Sequence, residues 1–327
     1  MKAWQLHDTK GIESYVLGDL DEPEPGPGEV RVKISHSALN HLDLWVSQGL
    51  PAPKHFPHTT GADGAGYVDA VGEGVSGFDI GDEIIIDPSI SCGQCVHCHN
   101  DDIVYCDSFQ ILGEHRPGTF TEKIVIPTIN AVRKPESMSW EVAGSFGLAT
   151  ATALRMLERA HLRAEQTLLV VGVGGGVSAA AMHLGLAFRA NVYVTSRSQE
   201  KIDWAVEQGA AGGFDSGSDF GAEMTALGGA DVVVDNVGPA TMRQSMRAAK
   251  NGGRVMICGS TSGPKLELTV PYLFFRQLEL IGSSMATHGQ FARAVTWVTT
   301  QGADSPVSKV FDFAELPAAL EYQDAGD

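Results

Sequence analysis

Four cysteines fall within the stretch SCGQCVHCHNDDIVYC, residues 91–106, at the spacing Cys92-x2-Cys95-x2-Cys98-x7-Cys106. Thiolates are soft ligands, and four of them complete the tetrahedral shell that zinc prefers. Such a shell has no open position for water or substrate, so a filled site would stabilise a loop and leave catalysis to other residues. His97 and His99, inside the same stretch, read as loop residues and not as ligands. The fifth cysteine, Cys258, stands in the apolar run RVMICG and is expected in a core.

A second constellation is the glycine-rich run TLLVVGVGGGVSAAAMHLG. It reads strand, turn, helix, the context in which glycines let a backbone approach a pyrophosphate at the positive end of a helix. Gly172, Gly174, Gly175 and Gly176 supply the turn, with Val177 or Ser178 standing where a third glycine is usual. At the end of the next strand, NVYVTSRSQEK, a carboxylate would select NAD through the ribose 2′-hydroxyl. The sequence offers instead Thr195, Ser196, Arg197 and Ser198, with Lys201 one helical turn later. Hydroxyls and cations suit a 2′-phosphate, which predicts NADP(H) in preference to NAD(H). Asn236 and Gly259, at the ends of the apolar runs DVVVDNVG and GRVMICG, complete the cofactor-binding candidates.

These groups need a scaffold. Through about residue 134 the chain carries short β-type runs, EVRVKIS, GAGYVDAVG, DEIIIDPS and TEKIVIP, punctuated by glycine and proline. That texture predicts an irregular barrel of antiparallel strands. From Ser139 onward apolar strands alternate with amphipathic helices, which predicts a doubly wound parallel sheet and an α/β class for the whole. A length of 327 residues suffices for two domains, and 43% hydrophobic with 19% charged residues describes an ordinary globular protein. The net charge is −17, and between His55 and His115 there are eleven Asp or Glu and no Lys or Arg. Such a surface repels polyanions, so nucleic-acid binding is excluded from the expected functions. The N-terminal MKAWQLHDTKGIE has neither a basic start nor an apolar stretch, and no window has the length of a membrane span. A cytoplasmic protein without a membrane partner is expected.

The cysteine spacing, preceded by GFDIGDEIIIDP and followed by GTFTEKIVIP and the glycine turn, resembles the medium-chain dehydrogenase/reductase superfamily from Met1 to about Leu320. LNHLDLW, ILGEHRPGT and GSSMAT resemble its zinc-type alcohol dehydrogenase-like and quinone oxidoreductase-like branch. The resemblance implies a GroES-like catalytic domain over 1–134 and 272–327, with the four-cysteine zinc lobe at about 90–107, and a Rossmann domain over 135–271 with a cleft between the two. It also implies a structural zinc in the lobe and a homodimer or homotetramer. Zinc alcohol dehydrogenases hold a second, catalytic zinc, and the positions matching its ligands are here Asn40, the triplet Gly61-Ala62-Asp63, and the apolar SFGLAT around Phe146. Asn, Ala and Phe do not make the three-ligand set of an open zinc site.

The polar residues that remain are His41, Asp43 and Asp63, with His36, His55 and His58 nearby in sequence. By family position His41 matches a residue that approaches the cofactor pyrophosphate, and Asp43 and Asp63 match the floor of the cleft. The expected reaction is hydride transfer from NADPH to a conjugated carbonyl acceptor, an enone, quinone or acrylyl-type thioester, whose own carbonyl activates the receiving carbon. Asn40 is the expected donor to the developing enolate, with His41 or water completing protonation. Two alternatives stand beside it: an alcohol dehydrogenase with a non-standard metal site, and a low-turnover cofactor-binding sensor or structural subunit. Trp45, Phe56, Tyr272 and Phe274 are the aromatic candidates for lining a substrate pocket.

Overall fold

In the computed structural model, which describes residues 1–303 and 306–326, the chain forms two compact units. One comprises Met1–Leu148, Ala286–Ala292 and Val307–Asp327, and the other Ala149–Met285 and Arg293–Pro306. Asp304, Ser305 and Asp327, which the expected boundaries give to the barrel domain, lie outside the described residues. Among the described residues no helix is long and apolar enough to cross a membrane.

The first unit is built on β1 (Lys2–Leu6), β2 (Tyr15–Asp19), β3 (Glu29–Ala38), β4 (Asp63–Val71), β5 (Glu83–Ile86), β6 (Ser89–Ile90), β7 (Gln110–Ile111), β8 (Lys123–Pro127) and β9 (Ala131–Arg133). Five of these strands make an antiparallel sheet in the order β8-β3-β4-β5-β9, as the punctuated β-type runs predict. Alternation decides its faces: in β3, Val30 and Val32 are buried while Lys33 and Ser35 are exposed. Val30, Val32, Val68, Ile84, Ile124 and Ile126 close into one apolar cluster. A second cluster joins Trp4, Leu6 and Tyr15 to Leu44 and Val46 of α1 (His41–Ser47) and to Leu316 and Leu320, and the Trp4 indole donates to the Phe313 carbonyl at 2.7 Å. The β6-β7 ladder closes the base of the cysteine loop, which carries the single-turn helix α2 (Val96–His99).

The second unit is a six-stranded, wholly parallel sheet of β10 (Thr167–Val171), β11 (Asn191–Ser196), β12 (Gly212–Asp215), β13 (Ala230–Asp235), β14 (Ala249–Ile257) and β15 (Glu279–Gly282). Their order is β12-β11-β10-β13-β14-β15, so the winding reverses between β10 and β13. That reversal opens a crevice at the carboxyl ends of the strands, where ligands bind in sheets of this kind. Leu168 to Val171 and Val232 to Val234 are at most 1% exposed, the near-continuous burial of strands covered on both faces.

Three segments differ from the expected boundaries. The segment 135–148 joins the first unit because the helix α3 (Trp140–Ala143) packs on β3 and β4, with Trp140 stacked on His36 and tilted against Tyr67. The segment 272–285 joins the second because β15 extends the parallel sheet beside β14, and Arg293–Pro306 joins it as well, with Trp297 packed on Phe188.

Candidate functional site

The cysteine loop converges without a disulfide. Cys92, Cys95, Cys98 and Cys106 place their Sγ atoms within 4.8 Å of one another, with Cys92 to Cys98 at 3.8 Å and Cys95 to Cys98 at 3.5 Å. A zinc–sulfur bond of about 2.3 Å sets tetrahedral sulfurs about 3.8 Å apart, so the four residues fit zinc in number, softness and spacing. Backbone N–H groups of Gln94 and Cys95 point at the Cys92 sulfur and hold its thiol below the ordinary range. The loop's far side is tied down by Asp101, whose carboxylate receives the Thr287 hydroxyl at 2.9 Å and the Gly289 N–H at 3.0 Å.

The glycine turn sits at the reversal point. Gly172 has φ +75°, a conformation that side-chain-bearing residues rarely adopt, and Gly175 caps α5 (Gly176–Ala187). The Gly172 N–H is held by both the carbonyl and the hydroxyl of Thr195, each at 3.1 Å. Thr195 is fully buried, so its hydroxyl braces the turn instead of meeting a 2′-phosphate, a correction that follows from β11 being covered on both faces at its end, where Val194, Thr195 and Ser196 are all buried. Ser196 is buried and accepts from the Ser198 N–H at 3.1 Å, while Arg197 is exposed. Lys201 lies over the turn: a Cβ on Gly174 would fall 3.0 Å from its Cδ and 3.3 Å from its Nζ.

Ser178 and Asn236, expected to bind cofactor, use their side chains on the protein itself. The Ser178 hydroxyl donates to the Val171 carbonyl and accepts from the Asn236 amide, both at 3.1 Å, and the Cys258 thiol donates to Asn236 Oδ1 at 2.8 Å. This chain crosses the reversal point and fixes β10, β13 and β14 at their ends; burial pushes the Cys258 thiol up to about 12. Val177 is half-buried in the first turn of α5, and Gly259 follows the end of β14. Sequence reading passed over Asp235, whose fully buried carboxylate collects the N–H groups of Val237 and Gly238 at 2.9 Å and the hydroxyls of Thr241 and Ser245. Its signal was a lone acid closing the apolar strand DVVVD.

The third site gathers the predicted catalytic residues. Asn40 opens α1 in a reciprocal capping box, its side chain facing the Asp43 backbone N–H and its own N–H donating to Asp43 Oδ2 at 2.8 Å. The other Asp43 oxygen receives the Gly61 N–H at 2.8 Å. Asn40 Nδ2 donates to Asp63 Oδ2 at 3.0 Å, and Asp63 Oδ1 takes the N–H of Leu148, which belongs to α4 (Gly147–Arg159), at 2.6 Å. Burial raises the Asp43 carboxyl to about 6 and the Asp63 carboxyl to about 7; hydrogen bonds oppose both shifts, and the neighbouring Asp43 charge adds to that of Asp63. His41 is exposed in the first turn, beside Trp45.

The same geometry bears on a cation site built from these groups. Both Asp43 oxygens and both Asp63 oxygens are occupied by N–H donors, and His58 Nε2 is spent on the Gly113 carbonyl at 3.0 Å. His36 stacks on Trp140, and Ala62 and Phe146 are fully buried, Phe146 against Phe291. Of the aromatic pocket candidates, Tyr272 packs against the parallel-sheet core and its hydroxyl accepts from Arg276 at 2.8 Å, whereas Phe56 and Phe274 are exposed.

Comparison with known proteins matches residues 26–136 to the alcohol dehydrogenase GroES-like domain and residues 172–300 to the zinc-binding dehydrogenase family. An acryloyl-coenzyme A reductase of Metallosphaera sedula is 30% identical over 94% of this chain and 91% of its own. A zinc-type alcohol dehydrogenase-like protein of Schizosaccharomyces pombe is 30% identical over 97% and 94%. Among solved structures, an NAD-dependent alcohol dehydrogenase superposes with a TM-score of 0.90 at 40% identity, covering 94% of this chain and 91% of that one. Both domain types, the parallel sheet with its glycine turn and the four-cysteine lobe thus agree, and the chain belongs to the medium-chain dehydrogenase/reductase superfamily, on its zinc-type alcohol dehydrogenase-like branch, as an NAD(P)-dependent oxidoreductase.

Proposed function

We propose that this protein reduces a conjugated carbonyl acceptor, an enone, quinone or acrylyl-type thioester, with NADPH. The observation that carries the reading is the Asn40–Asp63 pair: where the family's zinc alcohol dehydrogenases place ligands, this chain has a hydrogen-bonded amide and carboxylate beside buried Ala62 and Phe146. An acceptor that needs no Lewis acid fits such a site, because its own carbonyl takes up the charge. The acryloyl-coenzyme A reductase, 30% identical over nearly the full length, supports that acceptor class.

NADPH, when bound, supplies the hydride. That hydride would be taken up at the β-carbon of the acceptor, leaving the charge of an enolate on the acceptor's own oxygen. Asn40 holds the enolate oxygen through its amide N–H. A proton from water or His41 then adds at the α-carbon and completes the saturated product. The glycine turn and the N-terminus of α5 receive the pyrophosphate, and Arg197 and Lys201, with no carboxylate at the end of β11, favour the 2′-phosphate. Cys92, Cys95, Cys98 and Cys106 would hold one zinc that stabilises the loop and takes no part in hydride transfer. The open edge of β15 and the exposed Val270, Phe274 and Phe275 support assembly with a second copy of the chain.

The test is a panel of enones, quinones and enoyl thioesters with NADPH, set against primary and secondary alcohols with NADP+ and NAD+. Turnover confined to the conjugated acceptors is the expected result, and alcohol oxidation alone would overturn the proposal.

A further inference from the structure

We propose that Asp63 is a positioning residue that fixes the rotation of the Asn40 side-chain amide, so that a nitrogen-bound hydrogen, and not the amide oxygen, is offered to the acceptor. This rests on the reading of Asn40 as the enolate donor. The two ends of an asparagine amide are nearly identical in shape and opposite in hydrogen bonding, so a free amide would present either one. An ionised carboxylate only accepts, so above the Asp63 titration the atom 3.0 Å from Asp63 Oδ2 is the NH2 group. The helix start is compatible with this: the Asn40 side chain faces the Asp43 backbone N–H without making a cap hydrogen bond to it, that N–H donating to the Asn40 carbonyl at 2.9 Å. With one hydrogen committed to Asp63, the second hydrogen on Nδ2 is what the half-buried amide has left to give.

Asp63 is itself held so that it cannot follow a rotation of Asn40. It is 2% exposed, Leu148 N–H grips Oδ1 at 2.6 Å, and the hydroxyls of Ser37 and Thr119 both meet its backbone carbonyl at 2.7 Å. Asp43 pins the Asn40 backbone from the opposite side. Two carboxylates from different elements thus fix backbone and side chain of one residue independently.

The isosteric Asp63→Asn separates positioning from packing. Its single amide oxygen is claimed by Leu148 N–H, so its NH2 faces Asn40 and forces that amide to turn, placing Nδ2 against the helix. Loss of one oxyanion donor corresponds to roughly a 100-fold fall in kcat, with the NADPH Kd within about twofold of the parent, and the Tm should fall as well. The swapped double variant Asn40→Asp/Asp63→Asn restores one carboxylate, one amide, the bond between them and a good helix cap, yet has no N–H at position 40. Recovery of Tm in the swap with kcat still reduced is the expected result. Recovery of both would overturn the positioning role and Asn40 as the enolate donor while leaving the acceptor class standing; a swap no more stable than Asp63→Asn, or a kcat for Asp63→Asn within about threefold of the parent, would overturn the positioning role alone. Absence of turnover by the parent protein on every conjugated acceptor would overturn the functional reading, and the positioning role with it.

Discussion

His288 Nδ1 lies 2.7 Å from Asp87 Oδ2 across 201 residues of sequence, and the carboxylate it meets is 1% exposed. The Ser89 N–H takes the other oxygen of Asp87 at 2.9 Å. Burial raises the Asp87 carboxyl even so, because the His288 imidazole and the Ser89 N–H and hydroxyl do not replace full hydration. Replacing His288 by Ala would take the imidazole from that buried carboxylate, at a cost of about 2–4 kcal/mol. Urea unfolding of His288→Ala at neutral pH measures this; a change under about 0.5 kcal/mol would show that the contact is incidental.

Asp43 and Asp63 make stability fall as pH rises. Their folded-state values of about 6 and about 7 stand above the ordinary 3.8, so between about pH 4 and pH 7 the native state binds more protons than the unfolded chain. The contribution is fully present below about pH 4 and is lost as pH climbs through the two folded values. Asp63→Asn removes one of the two groups and should flatten the decline. Parallel stability profiles for the variant and the parent, from denaturant titrations across that range, would contradict the assignment.

One zinc per chain is expected after exhaustive desalting, by elemental analysis. Cys98→Ser should lower that content and speed proteolysis within 91–109, since the loop offers little core beyond Ile90, Ile103 and Leu112. NADPH affinity should be unchanged by it. Two zinc ions per chain would point to a metal at Asp43 and Asp63 that displaces their present N–H donors.

Arg197→Ala should weaken NADPH relative to NADH by about 10–100-fold, the value of a charge-assisted hydrogen bond of about 1.5–3 kcal/mol. Fluorescence titration with both cofactors reads the ratio directly. An unchanged ratio would assign Arg197 to the solvated surface.

Much of this architecture is written locally in the chain. The cysteine spacing, the glycine turn and the period-two runs each specify their structure within a few neighbouring residues, so the lobe, the β10-to-α5 turn and the antiparallel sheet were legible from sequence. What was not legible depends on partners distant in sequence. Nothing near residue 272 shows that β15 pairs with β14, and the direction of the Thr195 side chain follows from the register of β11. Asn40 and Asp63 were singled out by family position, but their mutual bond spans 23 residues and required the fold to bring it about. The composition of NVYVTS offered Thr195 as a phosphate ligand, whereas the buried backbone of Gly172 had the prior claim.

The most direct test of the account follows the label from NADPH deuterated at the transferred position into the product of an acrylyl-type thioester or a simple enone. Deuterium at the β-carbon of a saturated product, formed at an undiminished rate with a chelator present, is the predicted result. Deuterium on a carbinol carbon, with activity lost to the chelator, would contradict it and make the protein an alcohol dehydrogenase.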